Sequence, residues 1–330
     1  GPQLTKLADA KEELQEKETP LINIPLEAGF DLEPAKNGIT PVDQLQGVKM
    51  SEWDKVKLNW EQIEESRQAG TERFRQQVYQ YMTALEAMIP EDANVLFVHT
   101  MAGGFPRAKV VMPVANRVFK GYGDRYLSSE YFWNSDIGRL CDMSFNDVTG
   151  ETLQHLLELS TPLREKIIAR GQRVSYVAYG YHGTEVLVNN NYQWQSYSPY
   201  LQGWAKLRLE EVAEKAFADG IQVTVFNCPE ILTNSSSIFL GVEVSLYPLL
   251  GALSREKGSD KNVQSILSNC QNLLKPAHNI KEILNFCDKY LHSDVIKKWS
   301  QFDVWPQHNG PEQMKLMRES SSTLIEMYKD

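Results

Sequence analysis

Three short runs of β-branched and aromatic residues, separated by helical stretches, decide which folds are open to this chain. The runs are NVLFVHT at 94–100, RVSYVAYGY at 173–181 and IQVTVFN at 221–227, and helices are predicted between them at about 150–170 and 199–220. Short apolar runs of this kind are typical of buried strands, and intervening helices imply parallel crossover units. The sequence therefore predicts an α/β fold with a doubly wound parallel sheet.

The remaining chain reads mainly as helix. A strand is predicted at 20–26, and the stretch 105–140 shows no clean period, so loop with short elements is expected there. Ser51 is a plausible N-cap for a long helix that reaches about Ile89, with an interruption at Gly70. Further helices are predicted at 3–18, 239–256, 260–273, 279–291 and 311–328.

Charge and composition exclude several classes of partner. The net charge is −9 and no dense lysine and arginine block occurs, which argues against binding to nucleic acid or an anionic membrane. No apolar run approaches the ~18 residues that a membrane-spanning helix needs. The four cysteines and six histidines are scattered without metal-ligand spacing. We therefore expect reduced thiols, no metal site and a cytoplasmic protein.

Three clusters of polar and glycine residues follow the predicted strands. They are His99–Gly104, Tyr179–Gly183 and Asn227–Ser237. Ligands bind beyond the carboxyl ends of the strands in doubly wound sheets. The sequence therefore predicts a binding site where these three clusters meet.

Tyr197 and Lys206 stand near this predicted site, with eight residues between them. Positions nine apart point in opposite directions on one continuous helix, at 100° per residue. Ser198 is a good N-cap and Pro199 a good first helical residue, so the helix is predicted to start after Tyr197. The tyrosine could then fold back over the lysine from the incoming loop.

Two interpretations of Lys206 are open at this point. It lies at the edge of an apolar helical stripe formed by Leu201, Trp204, Ala205, Leu209, Val212, Ala213, Ala216 and Phe217. A lysine there can extend its ammonium into water and keep only its stem on the core. Alternatively, the ammonium can lower the pKa of a nearby tyrosine from about 10 and make it a better proton donor.

The residues around this pair resemble a known family, the large single-chain trans-2-enoyl-thioester reductases of the short-chain dehydrogenase/reductase superfamily. The sequence reads AYGYHGTE at 178–185, YSPYLQGWAK at 197–206 and ILTNSSSIFLGVEVSLYPLL at 231–250. In that family the tyrosine and lysine are likewise separated by eight residues, where shorter relatives have three. The similarity runs from about residue 94 to the C-terminus and is most specific over 173–258.

The resemblance implies a Rossmann-like fold and the roles of the catalytic residues. Tyr197 would be the proton donor or oxyanion stabiliser. Lys206 would bind the cofactor ribose and lower the pKa of that tyrosine. Tyr181 would hydrogen-bond the thioester carbonyl as an enolate forms.

The resemblance also implies a cofactor site and a substrate class. Thr233 would approach the nicotinamide carboxamide of NADH or NADPH, and Thr100, Ala102 and Gly103 would line the cofactor. The expected activity is NAD(P)H-dependent reduction of an enoyl or ketoacyl group on coenzyme A or acyl carrier protein, in fatty-acid or polyketide-type metabolism. The choice between enoyl and keto groups, the preference between NADH and NADPH, and the oligomeric state are not readable from these residues.

The chain departs from the family pattern in three places. No glycine-rich turn follows a first strand, so the first βαβ unit, which cradles the pyrophosphate, is expected to be missing. An insertion between Tyr181 and Tyr197, in the region of VNNNYQWQS at 188–196, would reshape the substrate entrance. The family has a lysine after the next strand, and NCPE at 227–230 has none.

These departures leave an alternative function and a domain division to test. The alternative is a reductase-like domain without catalysis, which would be a structural or interaction module of a larger assembly. The retained Tyr181, Tyr197 and Lys206 favour the enzyme. Residues 1–258 are predicted to form the reductase domain, and 259–330 a helical C-terminal extension packed on it.

Overall fold

The structure is a computed structural model of the chain. It describes residues 21–180, 185–188, 191–194, 201–228, 241–299 and 310–329, together with Asp9, Glu12, Glu13 and Gln15. The predicted helix at 3–18 lies largely outside these residues, although the four described there are helical.

The described chain is mainly helical. The helices are α1 Pro41–Gln44, α2 Trp60–Glu86, α3 Val111–Lys120, α4 Ser129–Trp133, α5 Asp136–Phe145, α6 Thr152–Leu159, α7 Thr161–Ala169, α8 Leu201–Ala218, α9 Val242–Glu256, α10 Lys261–Asn272, α11 Ile280–Leu291, α12 Asp294–Trp299 and α13 Pro311–Met327. A π-helical segment, Asn146–Glu151, joins α5 to α6, and short 3₁₀ turns occur at Trp53–Lys55 and Asp124–Tyr126. The strands are β1 Val95–His99, β2 Val174–Gly180, β3 Glu185–Val188, β4 Asn191–Trp194 and β5 Val223–Asn227.

Two sheets are formed by the described strands. β1, β2 and β5 form a parallel sheet with β2 in the middle. β3 and β4 form an antiparallel hairpin, in which Leu187 pairs with Tyr192. The three parallel strands are those predicted from the sequence, within about two residues at each end, and the α/β class is confirmed. The doubly wound arrangement stays a prediction, because the described helices cover one face of the sheet and Leu96, Val98 and Phe226 on the other face are exposed.

One face of the parallel sheet packs against helices. Tyr176 and Ala178 of β2 are buried together with Phe97 of β1, and the rings of Phe97 and Tyr176 stack at 5.0 Å. Leu209 of α8 and Leu157 of α6 belong to the same core. Burying an aromatic or leucine side chain contributes roughly 1.5–3 kcal/mol, so this packing holds the strand ends in a fixed position relative to α8.

The C-terminal helices form a separate apolar cluster. Tyr247 of α9 packs in it with Cys287 of α11 and with Met317 and Leu324 of α13. The predicted boundary at residue 258 stays a prediction, although α9 lies before it and packs with the helices after it. All four cysteines are free. Among the described residues, no helix is long and apolar enough to cross a membrane.

Two predictions near the N-terminus are wrong. The described part of the predicted strand at 20–26 is not β-structure. Just beyond it, the backbone N–H of Glu27 donates to the side chain of Gln77, and the backbone carbonyl of Glu27 accepts from Arg73. The backbone there is therefore hydrogen-bonded to side chains of α2 and not to another strand. The long helix begins at Trp60 rather than after Ser51, since Asn59 caps it by accepting from the Gln62 amide at 3.2 Å.

The helix interruption predicted at Gly70 is also absent. Helix α2 continues through this residue, where a Cβ would lie 2.9 Å from the Cβ of Phe30. The glycine therefore serves close packing of Phe30 on the helix.

The region 105–140, predicted to be loop with short elements, contains helices α3 and α4 and the first half of α5. Helix α3 was not predicted because it contains Pro113. This proline is the third residue of the helix, where a backbone N–H has no acceptor within the helix, so its absence breaks no hydrogen bond. Phe119 and Phe132 of α3 and α4 are buried in a core with Trp53. Aromatic residues on short helices gave no recognisable period. The β3–β4 hairpin and α12 were likewise not predicted.

Candidate active site

The carboxyl ends of the three parallel strands lie side by side, as predicted from the three clusters of polar and glycine residues that follow these strands in the sequence. His99 pairs in register with Ala178, and Gly180 with Asn227. The amide of Cys228 donates to the Gly180 carbonyl at 3.0 Å, so β2 and β5 stay together past the end of the regular sheet. The site is therefore built on a rigid edge.

The side chain of Lys206, on helix α8, packs against this edge of the sheet. Its side chain is only 6% exposed, and its ammonium donates to the carbonyl oxygen of Tyr179 at 2.5 Å and of Met101 at 3.4 Å. The ammonium thus bridges the ends of β1 and β2. This burial excludes the interpretation in which the ammonium reaches into water. Phe217, placed on the apolar stripe of α8 by the sequence, is 62% exposed, which corrects that assignment.

Burial changes the pKa of Lys206. Removal from water lowers the pKa of this ammonium from 10.5 to about 8, with a small opposing effect from Cys228. No described carboxylate forms an ion pair with it. An ammonium has three N–H donors, and the described residues accept from two. The site therefore presents one charged donor, mainly protonated at neutral pH, to a ligand.

His99 lies beside Lys206 and is neutral. Thr152 donates to the Val148 carbonyl at 3.0 Å, so its hydroxyl accepts from the Nε2–H of His99, at 2.8 Å. Nδ1 of His99 is then an acceptor, buried and without a partner among the described residues. Burial and the charge of Lys206 lower the pKa of His99 from 6.5 to about 4.

The stability of the protein is expected to fall in acid because of His99. The unfolded chain binds a proton at His99 near pH 6.5, whereas the folded chain binds it only near pH 4. Stability is therefore lost as the pH falls through this window, by on the order of 3 kcal/mol. Urea unfolding gives the free energy of unfolding of the wild type and of His99→Gln between pH 7 and pH 4. The difference between the slopes of these two free energies against pH is the contribution of His99.

His292→Gln is the matched control, since His292 lies on the surface at the end of α11. It should keep the pH dependence of the wild type. Equal slopes for the wild type and His99→Gln would show that His99 is protonated in the folded protein well above pH 4.

The turn after β1 carries the three residues predicted to line the cofactor. Thr100 and Ala102 are exposed at the rim. Gly103 has a φ of 123°, and a Cβ on it would meet no atom within 4 Å. Gly104 has a φ of 130°, and a Cβ there would lie 2.6 Å from the Cα of Phe145. The turn therefore combines open space on one side with close backbone packing on the other.

The structure brings together some of the predicted site residues. Lys206 and the turn containing Thr100, Ala102 and Gly103 meet at the Met101 carbonyl. Tyr181, Tyr197 and Thr233 lie outside the described residues, and their roles stay predictions. Within the described chain, no group of three or more His, Cys, Asp or Glu side chains is placed to hold a metal ion.

The sequence analysis missed two buried threonines, Thr149 and Thr152, which hydrogen-bond to the end of β1. Thr149 donates to the carbonyl oxygen of Gly103 at 2.8 Å. Both threonines stand at or beside the π-helical segment. Helical periodicity assumes 3.6 residues per turn, so it could not have placed them toward the strand ends.

Comparison with known proteins identifies a family. A sequence model described as "Enoyl-acyl carrier protein reductase FabMG" matches residues 3–330. No match was found among curated proteins.

Two solved structures are similar over nearly the whole chain. The first, "Apo structure of FabMG, novel types of Enoyl-acyl carrier protein reductase", is 42% identical with a TM-score of 0.90, and the match covers 100% of this chain and 74% of that one. The second, "NADH bound structure of FabMG, novel type of Enoyl-acyl carrier protein reductase", is 38% identical with a TM-score of 0.67, and the match covers 96% of this chain and 78% of that one.

These matches confirm the predicted enzyme class, a reductase of acyl thioesters in fatty-acid metabolism, over the alternative of a non-catalytic module. The chain belongs to the FabMG family of enoyl-acyl carrier protein reductases.

Proposed function

We propose that this chain reduces the trans-2 double bond of an enoyl-acyl carrier protein, with NADH as the hydride donor. The buried Lys206 ammonium at the carboxyl edge of the sheet carries the proposal. It supplies a charged donor, with one N–H that no described residue accepts, at the place where a parallel sheet binds its ligand. Enoyl rather than ketoacyl reduction follows from the family, and the choice of NADH is supported by the similar structure that is described as NADH-bound.

The described residues suit the ribose and nicotinamide end of the cofactor. Gly103 leaves open space at the rim, and Nδ1 of His99 is a buried acceptor without a partner in the described chain. Lys206 would donate to a ribose hydroxyl, which is both a donor and an acceptor. The cofactor supplies a hydride to C3 of the enoyl group when bound.

The substrate gains charge at the thioester oxygen as the hydride arrives. Tyr181 would donate a hydrogen bond to this oxygen and stabilise the enolate. Tyr197 would then deliver a proton to the reduced chain, and the nearby Lys206 ammonium would lower the pKa of its phenol. Thr233 would contact the nicotinamide carboxamide. These four roles are proposals that rest on the sequence resemblance.

The wider assignment follows the same resemblance. We place the chain in the short-chain dehydrogenase/reductase superfamily, with a Rossmann-like arrangement of its parallel strands. The parallel order β1–β2–β5 and the helix α8 between β2 and β5 support this placement. The cytoplasmic location stays a prediction.

Titration with NADH tests the proposal first. We expect the fluorescence or calorimetric Kd to be on the order of 10 µM, and trans-2-butenoyl-acyl carrier protein to oxidise the bound NADH. The saturated butanoyl-acyl carrier protein is the matched control and should leave NADH unchanged. Absence of binding at millimolar NADH and NADPH would contradict the proposal.

A further inference from the structure

The π-helical segment Asn146–Glu151 interrupts a helical run from Asp136 to Leu159 beside the candidate site. Such segments are uncommon and occur frequently at functional sites. This one lies against α8, because a Cβ on Gly150 would be 2.7 Å from Cγ of Arg208 and 3.3 Å from the Ala205 carbonyl oxygen. The glycine lets the segment approach the turn of α8 that carries Lys206.

Two hydroxyls, of Thr149 in this segment and of Thr152 directly after it, bond to the end of β1 and to the turn that follows. Thr149 is fully buried and donates to the Gly103 carbonyl, whereas Thr152 accepts from His99. The stretch from His99 to Gly104 is therefore held near both of its ends by side chains of one helical run. Lys206 of the neighbouring helix α8 holds the same stretch through the Met101 carbonyl.

The hydrogen bond from Thr149 determines a peptide orientation that the sequence of the turn leaves free. Gly103 and Gly104 are adjacent glycines with positive φ, and glycine occupies many backbone conformations at similar energy. In a trans peptide unit the C=O and the next N–H point in opposite directions. With the Gly103 carbonyl bound to Thr149, the N–H of Gly104 faces away from the π-helical segment.

We propose that Thr149 is a positioning residue whose hydroxyl selects the orientation of the Gly103–Gly104 peptide and so shapes the turn that receives the cofactor. The identity of the ligand rests on the proposed function, whereas the hold on the turn does not. Thr149 acts through the turn and touches no reacting atom.

NADH binding by three variants tests this role. Thr149→Val keeps the shape of the side chain but removes the hydroxyl, and its Kd for NADH should rise about 10-fold, the loss expected for one hydrogen bond. Its kcat at saturating NADH should stay within about threefold of the wild type. Thr149→Ser restores the hydroxyl and should bind NADH within about twofold of the wild type. Thr161→Val removes a partly buried hydroxyl away from the turn, which donates to the Leu157 carbonyl and accepts from Arg164, and should leave NADH binding unchanged.

Hydrogen exchange without cofactor gives a second, independent readout. The peptide spanning 95–105 should exchange faster in Thr149→Val than in the wild type, Thr149→Ser or Thr161→Val. Thr149→Ala replaces the valine variant if valine prevents folding. This measurement decides whether Thr149 holds the turn even if the wild type fails to bind NADH, a result that would overturn the proposed function alone.

The inference is overturned by any of three results. The first is unchanged exchange in Thr149→Val. The second is unchanged NADH affinity in that variant when the wild type binds NADH. The third is equal weakening in Thr149→Val and Thr149→Ser, which would assign the effect to packing rather than to the hydroxyl.

Discussion

Replacing Lys206 by methionine is expected to abolish enoyl reduction and to leave the fold at least as stable as that of the wild type. Methionine fills the volume of the buried lysine stem but carries no charge and no N–H. The Kd for NADH should rise about 10- to 100-fold, as expected for the loss of a charge-assisted hydrogen bond. Turnover should fall further, because the phenol of Tyr197 would lose the cation that lowers its pKa.

The stability of this variant follows from the lowered pKa of Lys206. Above pH 10.5 neither the folded nor the unfolded chain protonates this amine. Between pH 10.5 and about 8 the unfolded chain takes up the proton first, so the folded state loses stability as the pH falls. Below pH 8 a constant penalty on the order of 3 kcal/mol remains. Methionine removes it, which offsets the cost of about 1–3 kcal/mol for leaving the Tyr179 carbonyl without its donor.

Urea unfolding at pH 7, NADH titration and enoyl-acyl carrier protein turnover measure these effects together. Lys215→Met is the matched control, because Lys215 stands on the exposed side of the same helix. It should change none of the three quantities by more than a small amount. A large loss of stability in Lys206→Met would mean that the lysine is mainly a structural hydrogen-bond donor. Unchanged NADH affinity would remove it from the cofactor site.

Replacing Tyr197 by phenylalanine is expected to lower kcat by about 10²- to 10⁴-fold, the usual contribution of a positioned proton donor. NADH binding should stay within about threefold of the wild type, because the phenol acts on the substrate and Lys206 on the cofactor. The change removes one oxygen, so we expect little effect on the unfolding temperature.

Single-turnover reduction of trans-2-butenoyl-acyl carrier protein separates this chemical step from product release. Tyr79→Phe is the control, because Tyr79 is 63% exposed on α2 and lies outside the candidate site. It should reduce the substrate at the wild-type rate. A wild-type rate for Tyr197→Phe as well would assign the proton donor to another group, with Tyr181→Phe as the next variant.

The parallel strands were predictable because each is a short, apolar, β-branched run. β1, β2 and β5 end at glycine or polar residues and pack one face against helices. Their apolar runs predict burial on both faces, whereas Leu96, Val98 and Phe226 on the other face are exposed in the described structure. The helix α2 was predicted to begin at Ser51, a good N-cap. Instead, burial of Trp53 in the aromatic core holds residues 53–55 in a separate turn. Tertiary packing overrode the local capping preference there.

The candidate site was predictable only in part. The position of Lys206 at the edge of the helical stripe did not decide whether its ammonium is buried or in water. The resemblance to a family favoured a role in the site, and the structure shows the side chain buried there. The hydrogen bonds of Thr149 and Thr152 depend on a local change in helical pitch. Such a change arises from packing against α8 and the turn after β1, which periodicity along one chain does not encode.

Gly104 and Gly150 limit how this site can diversify. Neither position has room for a side chain. A Cβ on Gly104 would lie 2.6 Å from Cα of Phe145, and a Cβ on Gly150 would lie 2.7 Å from Cγ of Arg208. A side chain at Gly104 would push the turn after β1 away from Phe145 at the end of α5, and a side chain at Gly150 would push the π-helical segment away from α8. We therefore expect variants with an altered substrate range to carry their changes outside this packed region, for example in the β3–β4 hairpin, which lies in sequence between Tyr181 and Tyr197.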